Sequence, residues 1–153
     1  MDVRITQQAF DPQAEVAAFA KGRDDAGALV SFVGTCRSAN AGAAVDELRI
    51  DHYPGFSEKE IARLAEETSR RFHCPDLLVV HRVGAIGPGE AIVLVAALST
   101  HRSDAFEVVR ILMDYLKTDA PLWKKESGPG GARWVEPRAE DYARRKKAEE
   151  ESR

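Results

Sequence analysis

Apolar positions in this chain recur in two rhythms, one helical and one extended. After Ser57, the residues Ile61, Leu64, Ala65, Thr68 and Phe72 share one side of a 3.6-residue helix. Ser57 reads as its N-cap, with Glu60 three residues on as capping-box partner. A second stripe, Phe106, Val109, Met113 and Leu116, predicts a helix capped by Ser103 or Asp104 and ended before Pro121. A shorter helix is expected from Pro12 to about Lys21, because proline suits a first turn.

Extended segments fill the rest. A short strand is expected at Val3–Ile5 and a buried one at Gly27–Arg37, whose small and β-branched residues lack helical spacing. Val45–Tyr53 reads as the partner of that strand, across a mobile Ser38–Ala44 loop. Leu77–Ile86 and Ala91–Thr100 are joined through Gly87-Pro88-Gly89-Glu90 as a hairpin, and the Gly128–Gly131 turn leads into a strand at Arg133–Glu136. The sum is one α+β domain over residues 1–138, helices packed on a mostly antiparallel sheet. Residues 139–153 form a charged tail with five acidic and five basic side chains, read as a solvated or frayed helix rather than a binding arm.

Composition narrows the function classes. The chain has 153 residues, 44% of them hydrophobic, enough for one core. A net charge of −3 gives no general attraction for nucleic acid or anionic membranes. No apolar run approaches the roughly 20 residues that span a bilayer, and the first residues carry no signal-peptide pattern. Cys36 and Cys74 lack redox or metal spacing, which suits a reduced, cytoplasmic protein; each reads as a small buried hydrophobe. The four histidines are scattered, and the phosphate-loop, dinucleotide and nucleophile-elbow patterns are absent, so neither metal nor cofactor is expected.

What remains is a set of cations at element ends. Arg37 closes a strand, and His101-Arg102 precede a helix N-terminus, where free N–H groups and the dipole favour an anion. The plainer reading is capping or ion pairing with Asp104 or Glu107. Lys117 falls in a last helical turn, where lysine ordinarily just faces water. Lys124 and Lys125 are consecutive in extended chain, so only one of them can face a given pocket. Leu122 and Trp123 ask for burial beside these charges, and the MDYLKTDAPLWKKE run therefore suggests an anion pocket containing amines.

Six segments in order, FVGTCR, LRIDHYPGF, HRVGAIGPGE, STHRSDAF, MDYLKTDAPLWKKE and RWVEPR, resemble the large, catalytic subunit of molybdopterin synthase. The resemblance spans roughly residues 30 to 138. It implies an α/β-hammerhead-type fold and a homodimeric core of a heterotetramer, each end binding a small ubiquitin-like subunit with a thiocarboxylated Gly-Gly terminus. It implies sulphur transfer from that terminus to cyclic pyranopterin monophosphate, forming a dithiolene. By motif position, Lys117 and Lys124 match the catalytic lysines. Arg37, His101 and Arg102 match substrate-binding cations, with Lys125 and Glu126 adjoining the second lysine. Arg138 matches an arginine reaching the pocket from the dimer partner. Lys117 is assigned to the acyl end. Lys124, its pKa lowered by neighbouring cations, is assigned to proton transfer at the pterin, with the two roles exchangeable.

Three positions depart from the pattern: Cys36 where an apolar residue is common, Asp51 for a frequent glutamate, and Phe56 for a frequent methionine. None removes a proposed catalytic group. A rival reading is a non-catalytic module that binds a ubiquitin-like sulphur carrier without turnover. A nucleic-acid-binding domain fits poorly with the acidic balance.

Overall fold

The computed structural model describes residues 1–74 and 76–150. In chain order its elements are β1 (Asp2–Thr6), α1 (Pro12–Ala20), β2 (Ala28–Thr35), β3 (Ala39–Asn40), β4 (Ala43–Ala44), β5 (Glu47–His52) and α2 (Phe56–Arg71). Then come β6 (Asp76–Arg82), β7 (Gly84–Ile86), β8 (Ala91–Ser99), α3 (Arg102–Thr118), β9 (Leu122–Gly128), β10 (Gly131–Val135) and α4 (Ala139–Glu150). This is the expected α+β architecture, divided between two four-stranded sheets.

The first sheet runs β1-β6-β8-β2, with β1 parallel to β6 and the other pairs antiparallel. Alternation along β6 decides what covers each face. Leu77 and Val79 belong to a core shared with Ile61 and Ala65 of α2 and Val108 and Leu112 of α3. Leu78 and Val80 point the other way, toward Phe10 and, from α1, Val16 and Phe19. β6 pairs antiparallel with β8 as expected, but the ladder ends at His81 and Val93, and the strand that leads into the Gly87–Glu90 turn does not belong to it.

The second sheet runs β10-β9-β5-β7, and here the structure corrects the sequence reading. The apolar run expected to be one strand divides at Gly84, whose φ of 82° turns Gly84–Ile86 away to pair with β5. The segment expected to partner β2 pairs instead with β7 and β9. Its buried residues, Leu48 and Ile50, join Val45, Val83, Ile86 and Cys36 in a second core. The expected mobile loop holds a two-residue ladder, β3 against β4, turned at Ala41 and Gly42 with φ of 48° and 81°.

Strand β2 is not buried: it is the edge of the first sheet, and Leu29, Phe32 and Val33 are 41%, 42% and 39% exposed. A β-branched run cannot reveal whether both its faces will be covered. Helix starts also shift. Helix α2 begins at Phe56, so Ser57 lies inside it, and Glu58 rather than Glu60 accepts from the preceding Gly55 N–H, at 2.6 Å. Ser57 Oγ instead accepts from Tyr53 N and donates to Pro121 O, both at 2.9 Å, which ties α2 to the link between α3 and β9.

Helix α3 begins at Arg102 with His101 before it, earlier than a cap at Ser103 or Asp104 would set it. Phe106 is 60% exposed, and the buried side of α3 runs instead through Ala105, Val108, Val109, Leu112 and Leu116. Helix α4 packs more closely than a solvated helix would. Ala148 joins Leu64, Ile111 and Tyr115 in a core cluster, and the Arg145 guanidinium lies 3.8 Å from the centre of the Tyr115 ring. Residues 151–153 of the expected tail lie outside the described residues.

Candidate active site

Helix α3 ends where Asp119 and Ala120 both return their N–H groups to Tyr115 O, at 2.8 and 3.0 Å. Pro121 then sends the chain into β9, so Lys117 in the last helical turn and Lys124 in the strand flank a single bend. They line one cleft of about 430 Å³ with Trp123, Trp134, Glu136 and Tyr142. Two amines thus share a largely apolar and aromatic wall.

The strand register decides how each lysine faces. In the β5–β9 ladder Lys124 lies opposite Ile50 and Lys125 opposite Arg49. Directly paired residues share a face, so Lys124 points to the buried side and Lys125 to the other. Lys125 sits 5.5 Å from the centre of the Trp134 ring, its partner in the β9–β10 ladder. Burial pushes the Lys124 amine below the ordinary lysine range, and the Lys117 charge lowers it further, while Asp141 opposes both. Desolvation, rather than a neighbouring cation, is the larger cause.

Asp141 was not among the residues singled out from the sequence. It is 2% exposed, and its Oδ2 lies 3.6 Å from Lys117 Nζ and accepts from Arg138 N at 2.9 Å. Burial alone would raise this carboxyl. The Arg138 amide, Lys117 and Arg144 outweigh burial and hold it below the usual carboxylate range. Trp134 and Tyr142 were missed as well, because single aromatics between charged residues carry no periodic signal.

Glu126 and Arg37 belong to a neighbouring network. Glu126 lies two residues beyond Lys124 on the same side of β9, roughly 6.6 Å along the strand. Asn40 donates through Nδ2 to Glu126 Oε1 at 2.9 Å and accepts, through Oδ1, from Arg37 Nη2 at 3.2 Å. Arg133 Nη2 donates to both Glu126 Oε2, at 3.1 Å, and Asn40 O, at 2.7 Å.

His101 and Arg102 stand apart. Both are exposed at the start of α3, and Arg102 is separated from Lys117 by roughly 22 Å of helix axis. Arg138 is also exposed, just before α4. One chain therefore brings the two lysines together but keeps His101 and Arg102 at the far end of α3. Cys36 and Cys74 are buried, with their thiols pushed up by that burial, which matches their reading as small hydrophobes.

Among proteins of known family, residues 5–119 match the family model described as MoaE protein. The chain belongs to the MoaE protein family. A molybdopterin synthase catalytic subunit from Mesorhizobium japonicum is 50% identical over 141 residues, covering 91% of this chain and 87% of that protein. One of the same description from Caulobacter vibrioides is 48% identical over 141 residues, covering 92% and 93%. The solved structure of molybdopterin cofactor biosynthesis protein E from Burkholderia multivorans superposes with a TM-score of 0.79 at 44% identity, covering 95% of this chain and 94% of that one. The MoaE match ends at residue 119, so Lys124, Arg138 and Asp141 lie beyond it.

Proposed function

We propose that this chain is the catalytic subunit of a molybdopterin synthase, moving sulphur from a thiocarboxylated small subunit to cyclic pyranopterin monophosphate. The observation that carries the reading is the pairing of Lys117 with a desolvated Lys124 in one aromatic-walled cleft. The sulphur arrives on the partner, so the chain needs no nucleophile of its own. Its two thiols are buried and raised, which fits that economy and a reducing, cytoplasmic setting.

The chemistry divides between the amines. A slim Gly-Gly terminus suits a cleft of this size, its thiocarboxylate attracted by the Lys117 ammonium. As the carbon–sulphur bond to the pterin forms, a carbon–oxygen bond at that carbon breaks, its oxygen leaving as water or staying on the opened phosphate; water then breaks the acyl–sulphur bond, and negative charge grows on the acyl oxygen. A fixed donor there contributes about 3 kcal/mol in comparable sites. Lys124, its proton loosened by burial, is the better acid and base at the pterin carbons. Each transfer leaves the small subunit as a carboxylate, and two transfers complete the dithiolene.

The phosphate calls for cations beyond Lys117 and Lys124, the two that line the cleft among the described residues. Arg37, His101 and Arg102 are suited to it as charge-assisted donors; the roughly 22 Å from Arg102 to Lys117 supports supply of His101 and Arg102 by a second copy, while Arg37 stands in the Glu126 network of the same chain. The exposed edge of β2, with Leu29, Phe32 and Val33, is a surface on which a homodimer could bury apolar area.

Reconstitution tests the proposal. The chain is mixed with a thiocarboxylated ubiquitin-like subunit and cyclic pyranopterin monophosphate, beside Lys117→Ala and Lys124→Ala. Dithiolene formed by the wild type and lost in both variants, with partner binding intact, is the expected result. Binding without product from an intact thiocarboxylate would move the chain to a non-catalytic carrier module.

A further inference from the structure

Helix α4 opens with an acid that does more than its position requires. Arg138 immediately precedes the helix and Asp141 is its third residue, the place from which an acidic side chain commonly reaches back to the capping amide. Asp141 does so, accepting from Arg138 N at 2.9 Å. Capping acids on surface helices stay solvated, yet this carboxylate is buried. Its Oδ1 accepts from Arg144, and its Oδ2 is shared between the Arg138 amide and the Lys117 ammonium at 3.6 Å.

Glu136 lines the cleft, but Asp141 is the buried carboxylate paired with Lys117. Asp114 on α3 faces Arg110 and Arg144, at 3.5 and 3.9 Å, and burial pushes its carboxyl upward. Lys117 and Asp141 act on the Lys124 amine, which in turn lowers the proton affinity of His81 from β6. Of the two, only Asp141 favours the ammonium form of Lys124.

We infer that Asp141 is the positioning residue of the lysine pair, its carboxylate holding the Lys117 ammonium at the cleft wall and fixing the amide of the segment that carries Arg138. One side chain thereby sets where the amine stands and where the arginine leaves the fold. The catalytic consequence rests on the synthase reading; the electrostatic link does not.

Asp141→Asn separates the two roles, because an amide oxygen still accepts from Arg138 N–H while the charge is gone. Asp141→Ala removes both. In the chain alone, labelled with ¹³Cε-lysine, the Lys124 resonance should titrate at lower pH in Asp141→Asn than in wild type. In the reconstituted assay the alkaline limb should move the same way. Turnover at the optimum should fall roughly ten- to a hundredfold as Lys117 loses its anchor. An unmoved Lys124 titration and an unmoved profile in Asp141→Asn, with only Asp141→Ala losing thermal stability, would reduce Asp141 to a helix cap. An inactive wild type would remove the synthase reading, and the titration would still decide the link between Asp141 and Lys124.

Discussion

Lys124 stands directly opposite Ile50 in the β5–β9 ladder, so its stem runs along the side of the sheet that buries Ile50 and Leu48. Such a site suits an apolar side chain better than an amine, and the depressed proton affinity of Lys124 expresses that cost. Lys124→Met should therefore stabilise the fold by about 1 kcal/mol while abolishing sulphur transfer. For a chain of this size that is a rise of about 3 °C in Tm, read by thermal unfolding at neutral pH. A fall in Tm would mean that the ammonium has better partners than burial suggests.

His81 gives the fold a pH dependence of known sign. The imidazole is 1% exposed, and its Nδ1 lies 2.9 Å from Arg82 O, which can only accept, so Nδ1 carries the hydrogen. Burial, then the Lys124 charge, lowers its pKa to about 4. The unfolded chain takes up this proton near pH 6.5 and the folded chain only near 4, so stability is full above that window and falls through it. The loss attributable to His81 is roughly 3 kcal/mol between about pH 7 and pH 4. Urea titrations at about pH 7 and pH 5 should show a smaller pH-dependent loss in His81→Gln than in wild type.

Gly128 closes β9 beneath the β3–β4 turn, and a Cβ there would collide with the carbonyl oxygen of Ala44. That contact is backbone, so it cannot yield as a side chain would. Gly128→Ala should destabilise by about 2 kcal/mol. Denaturant unfolding of the purified variant measures it directly, and a loss below the error of the method would show that the turn can shift.

Arg145 fastens α4 to the body. It donates to Asp119 Oδ2 and pairs with Glu149 Oε1, each at 2.7 Å, while its guanidinium covers the Tyr115 ring. Arg145→Ala should loosen the helix locally, with amide exchange in residues 139–150 accelerated at least about tenfold and the first sheet unchanged. Turnover should drop with it, since Asp141 is carried by the same helix. Unchanged exchange would place the anchor of α4 elsewhere, at Ala148.

The parts of this picture that are legible in the sequence are those governed by local repetition. Ile61, Leu64, Ala65 and Thr68 declare one side of α2 because burial recurs every turn, and the Gly87–Glu90 turn declares a chain reversal that leaves β6 and β8 antiparallel. Lys117 and Lys124 stand out by their setting around a proline. What stays hidden depends on distant packing. Nothing in Leu29 or Val33 says that β2 will be an edge, and Gly84 redirects its strand through one backbone angle. Phe106 continues the helical stripe yet meets no covering layer among the described residues. Asp141 sits among balanced charges and reads as solvated surface. Its place three residues after Arg138 is the one available signal, and that signal predicts a cap rather than a buried counter-ion.

Every residue lining the cleft falls between Leu116 and Tyr142, whereas the strands of the first sheet and the helices that cover it lie before residue 119. A ribosome therefore delivers the scaffold first and the chemistry last. Translation halted short of Arg138 would release a chain whose main core can already close around Ile61, Leu77 and Val95, but which lacks Asp141 and helix α4. Premature termination late in the message would thus leave a folded but chemically silent product.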